Sequence, residues 1–197
     1  MTITTDRFRE AIQLIDKANN QDPNKEIHEG KEFSKELLYS QRMSAWLSKF
    51  APEASEDLRL AARSQHICRW TIPRKSYPMD RKGYLLWRTE LKQFHAQKAE
   101  EILSVTGYDP DSIDRVRSLI LKQRLKTDPE SQTLEDVVCL VFLDNYFGDF
   151  AAKHEPEKVV GILKKTWNKM SERGRNTALT LQFNDFEQTL INQALNG

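Results

Sequence analysis

Apolar residues in this chain recur at intervals of three and four rather than two, and most runs are bracketed by residues that start or stop a helix. Phe8, Ile12 and Ile15 mark a first helix, ending before the polar stretch Asn19 to Asn24 with its Pro23. Leu37, Leu38, Trp46, Leu47 and Phe50 mark a second, stopped by Pro52. Ser55 caps a third that carries Leu58, Ala61, Ala62 and Ile67 on its inner side. Pro73, Pro78 and Gly83 break the periodicity, so Thr71 to Gly83 is expected to be a loop, the longest in the chain. A long helix follows from Tyr84 to Ser104, with Trp87, Leu91, Phe94 and Ile102 turned inward and Gly107 closing it. Asp109 before Pro110 starts the next, through Ile113, Val116 and Ile120. Thr133 and Asp136 have the spacing of a capping box ahead of Val137 to Leu143, a run apolar on nearly every face and the expected buried centre. Pro156 opens a helix through Val159, Ile162, Leu163 and Trp167, and Asn184 with Glu187 caps a last one through Leu190 and Ile191. No strand-period segment of useful length is evident. The expected class is all-α, a single-domain bundle of about seven to eight helices spanning residues 1–197.

The chain can support such a core. Of its 197 residues 39% are apolar and 30% charged, too many core formers for a disordered chain and too many charges for a membrane protein. No apolar run reaches the roughly 20 residues that cross a bilayer, and Met1 to Phe8 has no signal-peptide core. A cytoplasmic address without membrane partners is expected. Cys68 and Cys139 are too few for a disulfide framework and lack metal-knuckle spacing, so both are read as reduced and buried.

A net charge of +1 excludes any global pull toward nucleic acid, so an electrostatic footprint has to be local. From Arg69 to Lys98 eight Lys and Arg face only Asp80 and Glu90, interleaved with Trp70, Tyr77, Tyr84, Trp87 and Phe94. Such a segment offers phosphate contacts and flat surfaces for a base; a solvated face over core aromatics would read the same way. Three polar residues also stand where apolar ones are expected. His66 lies near the end of the third helix, His95 follows Phe94 on the long helix with Arg88 and Lys92 before it, and Asp144 sits just past the apolar run. A carboxylate buried there needs a cation, a metal or a hydrogen-bond donor, an ion pair with an Arg being the plainest answer. The seven glycines are scattered singly, which leaves no dinucleotide fingerprint or phosphate loop.

Glu36-Leu37-Leu38-Tyr39-Ser40-Gln41-Arg42-Met43, Ser64-Gln65-His66-Ile67-Cys68-Arg69-Trp70, Ile72-Pro73-Arg74, Gly83-Tyr84-Leu85-Leu86-Trp87-Arg88 and Phe94-His95-Ala96 together resemble the family described as domain of unknown function 4202. The likeness covers nearly the whole chain and implies no particular activity. A looser likeness is to the HD superfamily, helical metal-dependent phosphohydrolases. Here Ala61 to Ile67 is similar to the stretch carrying the His-Asp pair, and Leu134 to Asp144 to the helix carrying the last Asp. Tyr39, Gln65 and His66 depart from that pattern at three of its metal positions, and Asp144 keeps it.

Three functions are open to such a chain. An HD-like protein binding or hydrolysing a phosphorylated ligand such as a nucleotide would have His66 and Asp144 as its polar floor, phosphate held by Arg69, Arg74, Arg81 and Arg88, and a base stacked on Trp70 or Tyr84. A divalent metal ion, if one is held, would take His66, His95 and Asp144; without it His66 is the candidate general base. An RNA-binding module would use the basic and aromatic segment 69–98 without catalysis, and a structural or regulatory partner protein would use neither.

Overall fold

The helix signals carry into the computed structural model, which describes residues 6–125 and 127–196; the first five residues, part of the stretch read for a signal core, lie outside them. The all-α expectation holds, with ten α-helices and one short hairpin among the described residues. The helices gather into two compact units, one up to Arg124 and one from Leu125 on, although no Pro/Gly/Ser-rich linker marks the junction in the sequence.

The first unit opens with α1 (Asp6–Asn19), then a hairpin of β1 (Lys25–His28) and β2 (Lys31–Ser34) that the sequence reading lacks. Its strands pair antiparallel from Lys25 opposite Ser34 to His28 opposite Lys31. Glu29 (φ 50°) and Gly30 (φ 74°) make the two-residue turn, both left-handed, as the right-handed twist of a hairpin requires. The strands are four residues each and bury only Ser34 fully, too little to show as strand-period burial in the sequence.

The hairpin rests on α2 (Lys35–Phe50), which turns Leu38, Tyr39, Met43, Trp46, Leu47 and Phe50 inward. Ser55 does cap α3 (Glu56–Ser64), accepting from the Leu58 N–H at 3.1 Å. Two 3-10 turns, Arg69–Thr71 and Arg74–Ser76, lead to α4 (Arg81–Val105), the longest helix. Gly83 lies inside the first turn of α4, which corrects its assignment to the loop; the helix is capped by Asp80, whose Oδ1 accepts from the Gly83 N–H at 2.7 Å. α5 (Pro110–Leu121) packs against both α3 and α4. Ile15, Met43, Leu58, Leu60, Ile67, Leu103, Leu119 and Ile120 form the buried centre.

The second unit consists of α6 (Pro129–Asn145), α7 (Phe147–Ala151), α8 (Pro156–Lys169), α9 (Glu172–Ala178) and α10 (Asp185–Asn196). Its core helix is α6, which buries Leu134, Val137, Leu140, Val141 and Leu143. The start predicted from Thr133 and Asp136 is overturned. Asp128 caps α6, and Asp136 sits buried in mid-helix, where its Oδ1 and Oδ2 accept from the backbone N–H and hydroxyl of Ser171. Asn184 and Glu187 exchange the two bonds of a capping box at the start of α10, as their spacing implies.

Candidate functional site

The end of α3 is where the first unit places its unusual polar chemistry. After Ser64 the backbone bends through Cys68, whose φ of 53° is left-handed for a residue with a side chain. Two neighbours hold the bend. The fully buried Asn19, at the end of α1, accepts from the Cys68 N–H at 3.0 Å, and the buried His95 on α4 donates from Nδ1 to the Ile67 carbonyl at 2.8 Å. That bond fixes His95 in one neutral tautomer. Burial and the neighbouring His66 ring push its pKa down to about 3.

His66 is the side chain this bend presents. Tyr39, from α2, stacks on its ring with centroids 4.1 Å apart and planes 12° from parallel, and the His95 ring lies 5.8 Å away. Arg69, one turn further on, donates from Nη1 toward His66 Nδ1 at 3.4 Å. The Oε2 of Glu36, three residues before Tyr39 on the same face of α2, approaches that nitrogen to 3.5 Å. This has the distance of an ion pair but not its charges. Burial and the positive Arg69 hold His66 well below its ordinary value, so the ring is neutral. Burial lifts Glu36 from 4.5 to about 7 against the pull of Arg69. The geometry agrees: Nδ1 accepts from Arg69 and so offers Glu36 no proton, which leaves an ionised carboxylate there without a donor from the ring. Asp22 pins Glu36 in place, its Oδ2 accepting from the Glu36 N–H at 3.0 Å.

Positive charge surrounds this pair. Arg69, Lys122, Arg88 and Lys35 all act on His66, in that order of strength, and all lower its proton affinity. Arg69 also lies over the Trp87 ring at 5.3 Å, with the indole N–H bonded to the Ile72 carbonyl at 2.8 Å. Among the described residues no three His, Cys, Asp or Glu side chains are grouped to hold a metal ion.

The sequence-predicted residues divide accordingly. His66, His95 and Arg69 come together, and Arg88 adds its charge to them. Arg74 instead clamps the loop before α4, donating to the carbonyls of Tyr77, Pro78 and Asp80 at 3.0, 2.6 and 3.2 Å. Tyr84 is exposed, with the guanidinium carbons of Arg88 and Arg74 5.8 and 6.0 Å from its ring. Trp70 is half-buried on the first 3-10 turn, and Arg81 is exposed on the first turn of α4. Asp144 belongs to the second unit and is exposed near the end of α6, where Asn145 Nδ2 donates to it at 3.1 Å; its expected burial is therefore wrong. An apolar run says nothing of which way the next residue faces, and at Asp144 the helix turns outward. The residues the reading missed are Glu36, Asn19 and Asp22. Glu36 had a signal, because it stands at helical spacing with Tyr39 and Met43 on the buried face of α2. Asn19 and Asp22 look like ordinary loop polars until the fold buries them.

No helix among the described residues is long and apolar enough to cross a membrane. No curated protein and no solved structure matches the chain, so nothing beyond the sequence carries the likeness to the HD superfamily. The segments that build the site, Glu36 to Met43, Ser64 to Trp70 and Phe94 to Ala96, all fall within residues 9–191, which match the model of one family; the chain belongs to that family, described as Domain of unknown function (DUF4202).

Proposed function

We propose that the first unit binds a phosphorylated small molecule, a nucleotide being the leading example, at the end of α3, with Arg69 and Arg88 as the phosphate contacts. The observation that supports this is an imbalance of charge. Arg69, Arg88 and Lys35 act on a neutral His66, while the nearest acid, Glu36, is only about half ionised at pH 7 and Asp22 is engaged by backbone N–H groups. An anion is the missing complement, and guanidinium groups suit the oxygens of a phosphate. Hydrolysis of the bound ester is the finer form of the same proposal, although a His66 of such low basicity is a weak proton acceptor at neutral pH.

Calorimetric titration with nucleoside mono-, di- and triphosphates tests the reading, with release of inorganic phosphate followed in parallel. Arg69→Gln and Arg88→Gln should each weaken binding by about tenfold or more, the worth of one charge-assisted hydrogen bond. Unchanged affinity in both folded variants would sink the assignment. A second reading, an RNA-binding module, is favoured by one feature: Tyr84, Leu85 and Leu86 are exposed on α4 beside Arg81, Lys82 and Arg88. It predicts affinity for single-stranded RNA that falls steeply with salt, and a shallow salt response would argue against it.

A further inference from the structure

A carboxyl group is an unexpected floor for an anion site, because in its ionised form it would repel the ligand. Glu36 is nevertheless built in firmly. Its backbone N–H is tied to Asp22, its side chain is 8% exposed against 23% for His66, and its Oε2 lies 3.5 Å from His66 Nδ1. That nitrogen already faces the Arg69 guanidinium at 3.4 Å, so Glu36 has no imidazolium to neutralise it. Every element packed around Glu36 contributes to its state. Asp22 in the loop after α1 opposes ionisation, while Arg69 on the 3-10 turn, His95 on α4 and Lys35 on its own helix favour it, and burial outweighs them all. A carboxyl group kept neutral in this way becomes a hydrogen-bond donor.

We propose that Glu36 is a ligand-binding residue of this site, donating a hydrogen bond from its carboxyl group to an oxygen of a bound tetrahedral oxyanion, such as a phosphate monoester, whose remaining oxygens face Arg69. The inference rests on the phosphate-binding reading above and deepens it: the site recognises the oxyanion with a proton as well as with positive charge. Ligand binding and protonation of Glu36 are then linked, each favouring the other.

Inorganic sulfate is the probe, because it stays a dianion across the range in which Glu36 titrates. Its affinity is measured by calorimetry at constant ionic strength from pH 6 to pH 8, for the wild type and Glu36→Gln. With Glu36 titrating at about 7, its neutral fraction falls about tenfold between those limits, and wild-type affinity should fall with it. The amide of Glu36→Gln still donates but does not titrate, so its affinity should stay level. A measurement on the wild type alone guards against a variant that fails to fold. Titrations at pH 7 in buffers of different ionisation heat should show uptake of up to about half a proton per sulfate bound. A flat wild-type profile, no proton uptake, or the same slope in Glu36→Gln overturns the role of Glu36 and leaves the anion site standing. Absence of saturable sulfate binding at pH 6 overturns the anion site and this inference with it.

Discussion

Replacing Gly83 by Ala should destabilise the protein, although Gly to Ala inside a helix ordinarily stabilises by about 1 kcal/mol. A Cβ built on Gly83 would lie 2.2 Å from the Pro78 carbonyl oxygen and 2.9 Å from the Pro78 Cβ, separations no real contact sustains. The carbonyl is poorly placed to retreat, because Arg74 Nη2 donates to it at 2.6 Å while Arg74 Nη1 holds the neighbouring Tyr77 carbonyl at 3.0 Å. Either α4 unwinds at Asp80 or the Arg74 clamp opens. Overpacking of this kind costs on the order of 1–3 kcal/mol. Taking about 2 kcal/mol, the melting temperature should drop by about 4–8 °C in a chain of this size. Gly161 is the control: it lies inside α8, where a Cβ meets nothing within 4 Å, so Gly161→Ala should be neutral or raise the melting temperature. Thermal melts followed by far-UV circular dichroism compare the two. A Gly83→Ala protein that melts at or above the wild type would refute the reasoning.

Glu36 makes stability depend on pH. Its folded-state value is raised from 4.5 to about 7, so the stability it permits is fully present below about 4.5 and is lost as pH rises through 7, by at most about 3 kcal/mol. Denaturant midpoints for Glu36→Gln should therefore gain on the wild type between pH 5 and pH 8, and a constant gap between them would contradict the burial argument. Asp144→Ala should change stability by no more than about 0.5 kcal/mol and leave nucleotide or sulfate binding as it is, since the side chain is exposed in the second unit. A loss of binding in that variant, measured by the same calorimetry, would return Asp144 to the site.

The helices with strong start signals were legible because those signals act locally. Ser55, Asp109 and the pair Asn184 and Glu187 cap within their own turn, and the structure uses all of them. The hairpin was not legible, since Glu29-Gly30 is a less recognisable turn than Asn-Gly and its strands bury little. Thr133 and Asp136 misled because capping-box spacing also occurs within a helix, and Asp136 answers a residue 35 positions away. At the site, His66 and the basic run could be read as residue types, but the direction a helix presents them could not. Arg74 reads like Arg69, yet the fold uses one to brace a loop and the other to face an imidazole.

The left-handed turn at Cys68 carries a consequence for how the chain acquires its site. Asn19, which holds it, lies 49 positions earlier, and His95 joins Ile67 across 28. Contacts at that separation meet the entropy of closing long loops before they return any enthalpy. The pairing of His66 with Glu36 should therefore emerge late in folding, after α1, α3 and α4 have docked. By the same reasoning, loosening α1 from the bundle would relax the turn at Cys68 without touching a residue that meets the ligand.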